Sequence, residues 1–68
     1  GHKKKKLIDI NQASAKELAE LPGIGDAYAE RIVAFREKNG EFKKKTDLIK
    51  VKGIGKKKYQ KISKLLTI

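Results

Sequence analysis

Two short stretches of this 68-residue chain carry residue types suited to holding an anion. The richer is Val51-Lys52-Gly53-Ile54-Gly55, followed without a break by Lys56, Lys57 and Lys58. A Gly-x-Gly turn that opens a helix lets backbone amides approach a phosphate without side-chain obstruction, and the helix dipole adds partial positive charge there. Three lysines in the first helical turn oppose that dipole, at typically about 0.3–1 kcal/mol each when exposed, and a bound anion removes the penalty. Gly53, Ile54 and Gly55 are therefore a candidate phosphate cradle, with Lys52, Lys56, Lys57 and Lys58 as its cations and Lys61 one turn further along. The competing reading keeps the glycines only as turn formers and Ile54 as a core plug, and the clustered lysines weigh against it.

The second stretch, Leu21-Pro22-Gly23-Ile24-Gly25, is followed by Asp26 and, one turn later, Glu30. A dipole welcomes carboxylates at a helix start, but an incoming phosphate is repelled by them. Gly23, Ile24 and Gly25 are accordingly secondary contacts, in a hairpin that also serves to complete the core. No catalytic set or metal site emerges: the chain has no cysteine and a lone histidine, His2, which builds no metal site by itself. No cofactor is implied.

The elements that carry these turns are legible in an internal repeat. Shifted by thirty residues, Leu21-Pro22-Gly23-Ile24-Gly25 falls on Val51-Lys52-Gly53-Ile54-Gly55, Glu17-Leu18 on Asp47-Leu48, Arg31-Ile32 on Lys61-Ile62 and Phe35 on Leu65. Each copy reads as a short helix, a tight turn and a longer helix, because its apolar positions follow helical spacing. The fold class expected is all-α, two hairpin repeats at about 14–38 and 44–66 within a domain at 8–68. Ser14 and Glu17 form a capping box that starts the first helix near Ala15. Ala29, Ile32, Val33 and Arg36 share one face of a second helix at about 26–38, which Asn39-Gly40 stops in a left-handed turn. Phe42 is a core plug, and Lys45 or Thr46 opens a third short helix bearing Leu48 and Ile49. In the fourth, Tyr59, Ile62, Leu65 and Leu66 give an apolar stripe, with Lys57, Lys61 and Lys64 as a cationic one. Tyr28 aligns with Lys58 and is expected at the surface; Tyr59 aligns with Ala29 and is expected to be partly buried.

Charge is divided unequally. Residues 7–38 hold four basic and six acidic side chains, whereas residues 39–68 hold ten lysines against Glu41 and Asp47, and Lys3, Lys4, Lys5 and Lys6 complete a net +10. Such a balance predicts an anionic partner that favours the second copy. With 38% charged and 38% hydrophobic residues, the chain lies near the border of disordered composition. A chain this short buries only about 60% of its unfolded surface, so a multi-domain enzyme is excluded. No apolar run approaches the length of a membrane span. Residues 1–7 read as a basic, disordered arm with Gly1-His2 as a tag remnant, so the natural protein is expected to extend upstream.

Taken together, Ile8-Asp9-Ile10-Asn11, Ala13-Ser14, Glu17-Leu18, Leu21-Pro22-Gly23-Ile24-Gly25, Arg31-Ile32-Val33, Phe35-Arg36-Glu37, Asn39-Gly40, Phe42, Asp47-Leu48 and Val51-Lys52-Gly53-Ile54-Gly55 resemble the ComEA-type domain over residues 8–68. That family is the tandem helix-hairpin-helix module of competence proteins that receive double-stranded DNA at the surface of transformable bacteria. The resemblance implies two hairpins side by side about a pseudo-twofold, both turns on one surface, binding both strands across a minor groove. It implies double-stranded DNA as partner, bound without sequence preference by hairpin amides and lysines, in DNA uptake for competence. Other DNA-uptake proteins are possible further partners, the domain is expected to be a monomer without membrane contact of its own, and an extracytoplasmic or membrane-tethered location follows if it is a competence receptor anchored from outside this chain. Lys44 departs from the pattern, standing where Ser14 caps the first copy.

Two tyrosines and two phenylalanines are too few for the stacking platforms of a single-strand binder, which favours a duplex. Lys57, two residues after Gly55, resembles the Schiff-base lysine of bifunctional helix-hairpin-helix DNA glycosylases, but no acid follows Asp47 and no base pocket is provided, so the chain is not expected to be an enzyme. The alternative function is a structural or protein-interaction module that binds an acidic partner.

Overall fold

The computed structural model describes residues 7–68, so residues 1–6 of the arm expected at 1–7 lie outside the described residues. In chain order, β1 (Ile8–Asp9) is followed by α1 (Ala15–Ala19), α2 (Gly25–Asn39), a 3₁₀ helix (Lys45–Lys50), α3 (Lys56–Ile62), a second 3₁₀ helix (Ser63–Leu65) and β2 (Leu66–Thr67). Helix dominates, as the apolar spacing requires.

α1 begins at the expected capping box. The Glu17 amide donates to Ser14 Oγ at 3.2 Å, and the Ser14 amide donates to Glu17 Oε1 at 3.0 Å. This pair satisfies two orphan donors of a five-residue helix too short to persist alone. α2 stops at Gly40, whose backbone takes φ 89° and whose amide donates to the Arg36 carbonyl at 2.9 Å. The third helix is 3₁₀ and lacks a side-chain cap at Lys44. Asp47 compensates from inside it, accepting the Lys43 amide at 3.2 Å and facing Lys50 Nζ at 3.6 Å. Partial desolvation pushes the Asp47 carboxyl up, but bonds from the Lys43 and Lys44 amides and the charges of Lys50 and Lys44 outweigh it and hold its pKa below the ordinary value.

The expectation of one helix running through Leu66 needs correction. α3 ends at Ile62, tightens into a 3₁₀ turn, and straightens so that Leu66 and Thr67 pair in parallel with Ile8 and Asp9. Lys45 crosses from the other side to donate to the carbonyls of Ser63 at 3.0 Å and Leu66 at 3.2 Å. A helix end leaves carbonyls without partners, and here a lysine from a distant segment takes that of Ser63 together with that of Leu66 in β2. The pattern of Leu65 and Leu66 fits a helix and a strand equally over so short a run, and only the pairing with β1 decides between them.

The start of the chain is fastened by side chains. The Asn11 amide donates to the Phe42 carbonyl at 2.9 Å while Asn11 Oδ1 accepts the Phe42 amide at 2.7 Å, and Arg36 donates to the Ile10 carbonyl at 2.7 Å. This two-way clamp plugs Phe42 into the core, where its ring stacks on Phe35 with centroids 5.4 Å apart. The core obeys the repeat: Leu18 and Leu48, Leu21 and Val51, Ile24 and Ile54, and Ile32 and Ile62 are all buried. Each such side chain contributes about 1.5–3 kcal/mol on burial, so each hairpin covers half of a shared interior that neither could form alone.

Candidate functional site

The two turns match bond for bond on their entering side. Leu21 and Val51 donate to the carbonyls of Leu18 and Leu48, both at 3.0 Å, and Ile24 and Ile54 donate to those of Leu21 and Val51 at 3.1 and 3.0 Å. Both isoleucine side chains are core plugs. The Ile54 side chain is buried and its amide is engaged inside the turn, as are those of Ile24.

The amides left to meet a ligand lie one step further on. In α3 the first intrahelical bond among the described residues runs from the Tyr59 amide to the Gly55 carbonyl, at 3.0 Å. The amides of Lys56 and Lys57 precede it and have no acceptor within the helix. Gly55 caps the helix without a side-chain bond.

Beyond the isoleucines the turns diverge. Gly23 and Gly25 have φ of 80° and 60°, and Gly53 has φ 93°, values that only glycine adopts readily. Gly55 has φ −98° and ψ −175°, open to any residue, and a Cβ there would meet nothing within 4 Å. Three of the four glycines are thus explained by the turn, and Gly55 is not. Serine or aspartate would cap α3 better; glycine instead leaves its first amides uncovered.

Lys52, Lys56 and Lys57 are exposed around this end of α3, and Lys61 is exposed in its last turn. Lys50 and Asp47 form the one ion pair among the described residues, so these lysines face solvent without acidic partners. Lys58 differs. It is half-buried, its ammonium donates to the Gly23 carbonyl at 3.1 Å, and it lies 4.9 Å from the centroid of the Tyr28 ring. Tyr28, expected at the surface, is half-buried and packed on the core, with its ring pressed against Gly53. Arg31 lies over the same ring at 5.4 Å and donates to the Lys52 carbonyl at 3.3 Å. The turns consequently touch through α2 and α3. Tyr28 and Arg31 were not evident as site residues; the repeat points to Tyr28, since positions 28 and 58 are equivalent, and no signal in the sequence points to Arg31. Asp26 and Glu30 are exposed at the start of α2, as expected.

A family model described as the helix-hairpin-helix motif matches residues 3–67. The chain belongs to that family. Among curated proteins it is 44% identical over 62 residues to ComE operon protein 1 of Bacillus subtilis, a match spanning 91% of this chain and 30% of that protein. It is 38% identical over 61 residues to the transcriptional accessory protein Tex of Neisseria gonorrhoeae, covering 90% of this chain and 8% of that protein. It is also 44% identical over 55 residues to the human endonuclease/exonuclease/phosphatase family domain-containing protein 1, covering 81% and 10%. The chain thus spans less than a third of the length of each of these relatives. The first likeness, with the family match, bears out the ComEA-type resemblance of the sequence.

Proposed function

We propose that this helix-hairpin-helix domain is a non-enzymatic module that binds double-stranded DNA without sequence preference. Gly55 carries the reading. Neither backbone conformation nor packing calls for glycine there, and what a glycine adds is room for a phosphate to approach the amides of Gly55, Lys56 and Lys57. Around those amides stand Lys52, Lys56 and Lys57, whose repulsion at a helix start a bound phosphate relieves, with Lys61 one turn further along α3. Gly53 shapes the turn that aims them. The first turn, with Gly23 and Gly25, offers a weaker second contact under the repulsion of Asp26 and Glu30. No asparagine, glutamine or arginine in the turns is set to read base edges, so binding is governed by phosphate neutralisation.

The biological setting we propose is DNA uptake for competence, which rests on the ComEA-type resemblance and the likeness to ComE operon protein 1. An extracytoplasmic or membrane-tethered location would then depend on segments outside these residues; among the described residues no helix is long and apolar enough to cross a membrane. The relatives' names differ widely while this domain forms a small part of each, which fits a binding module placed in different proteins.

Amide chemical shifts recorded during titration with short duplexes of unrelated sequence test the reading. The largest changes are expected at Gly55, Lys56 and Lys57, with Kd of about 10⁻⁴ to 10⁻⁶ M at physiological salt and log affinity falling with log salt by about 0.9 per phosphate contacted. A flat salt response, a strong preference among duplexes, or tighter binding to an acidic peptide than to DNA tells against it.

A further inference from the structure

The contact between the two turns is reciprocal in a way the repeat makes precise enough to interpret. Positions 28 and 58 are equivalent under the thirty-residue shift, and so are Gly23 and Gly53. Lys58, on α3 of the second hairpin, covers Gly23 of the first, whose missing Cβ would lie 3.8 Å from Lys58 Nζ. Tyr28, on α2 of the first hairpin, covers Gly53 of the second, where a Cβ would collide with the tyrosine ring and come within 2.9 Å of Arg31 Nη1. The crossing pair also touch each other, ammonium on ring, at 4.9 Å. Arg31 closes the figure, holding the Lys52 carbonyl from above the same ring.

We infer that Tyr28, Arg31 and Lys58 form a cross-brace that fixes the spacing of the two turns, and that Lys58 is a positioning residue and not a phosphate ligand. This rests on the DNA-binding reading above. Two observations support it. Lys58 is half-buried with its ammonium occupied by a carbonyl and a ring, whereas Lys56 and Lys57 beside it are exposed. The tyrosine, whose repeat counterpart is a lysine, contributes no charge and yet makes the corresponding contact. Two identical lysines at 28 and 58 would meet across the pseudo-twofold and repel; a ring against an ammonium attracts. The unequal pair thus lets two near-identical turns sit against one another. A duplex contacted by both turns presents phosphates at a set separation, so loosening the turns weakens binding without removing any contact.

The experiment compares the native chain with Lys57→Gln, Lys58→Met, Lys58→Arg, Tyr28→Leu and the Tyr28→Leu/Lys58→Met double variant. It measures affinity for one short duplex across a salt series, helicity, and the free protein's chemical shifts at Gly23, Ile24, Gly53 and the position-28 side chain. Lys57→Gln should lower the salt slope by about 0.9. Tyr28→Leu, which leaves charge unchanged, should weaken binding about two- to fivefold with its slope unchanged. Lys58→Met should do the same with a slope loss well below that of Lys57→Gln, Lys58→Arg should restore affinity, and the double variant should bind no worse than the weaker single. Lys58→Met should also shift Gly23, Ile24 and the Tyr28 ring without DNA present.

A full slope loss for Lys58→Met, strictly additive effects in the double variant, or unmoved Gly23 and Tyr28 signals overturn the brace. If Lys57→Gln leaves the slope untouched, the DNA reading is what fails, and the shifts of the free protein then decide the brace alone.

Discussion

The two hairpins share one backbone plan and one set of core plugs, yet they differ in what surrounds the turn. In the first, Gly25 sits at φ 60° and Asp26 opens α2 in the place where the dipole favours a carboxylate. In the second, Gly55 is extended, no acid stands in the first turn, and three lysines crowd it. Neither helix start has a side-chain cap, but the charge in the first turn of α2 suits its dipole and that of α3 opposes it. Departures from local stability rules gather where a ligand offsets them, so a repeat offers an internal control: the copy that keeps the rules shows what the fold needs, and the copy that departs shows what function adds.

Changes at the lysines of the second turn should have the largest effect. Replacing Lys56 and Lys57 together with glutamine should weaken duplex binding about tenfold to a hundredfold and reduce the salt slope by about 1.8. Glutamine at Lys3, Lys4, Lys5 and Lys6 should cost less, because these lysines belong to neither Gly-x-Gly turn. Equal losses from the two sets would mean that charge alone, without the turn, binds DNA.

Glycine substitutions separate fold from function. Gly53→Ala meets both a positive φ and the Tyr28 ring, and should destabilise the domain by about 1–3 kcal/mol in denaturant titration. Gly55→Ala should cost no more than about 1 kcal/mol, the difference between glycine and alanine as an N-cap, since its Cβ points into open space, while weakening DNA binding by obstructing the phosphate. A Gly55→Ala domain that binds as the native one does would remove the main support for the cradle.

A smaller, opposite effect is expected in the first hairpin. Asp26→Lys should tighten duplex binding about two- to fivefold while lowering stability slightly, because the acid leaves the favourable end of α2 and a cation takes its place. Calorimetry with and without duplex reads both effects, and weaker binding by this variant would contradict the unequal-hairpin scheme.

The smallest effect concerns the capping of the second copy. The Asp47 pKa is lower folded than unfolded, so its contribution to stability is complete above about 3.8 and is lost as pH falls through the depressed folded value. Asp47→Asn should lower the thermal midpoint modestly at neutral pH and flatten its decline in acid. The substitution should leave the first copy's capping box, and binding to DNA at neutral pH, unchanged.

What the sequence carried was whatever repeats or follows a local period. The thirty-residue shift, the Ser14 and Glu17 box and the Asn39-Gly40 stop are decided by residues within a few positions of one another, or by self-similarity, and they were legible in the residues alone. The concentration of lysines at the second turn was legible for the same reason. Tertiary structure alone decided what depends on segments far apart in the chain meeting in space. The parallel pairing of Ile8 with Leu66 turned an expected helix end into a strand. The Lys45 ammonium reached the carbonyls of Ser63 and Leu66, and Asn11 clamped Phe42 across 31 positions. Tyr28 is half-buried because Gly53 of the other turn offers its ring a place to pack. Lys58 carries the same charge in sequence as Lys56 and Lys57; its separation from them comes from the Gly23 carbonyl, 35 positions away, which a list of residues cannot bring within 3.1 Å.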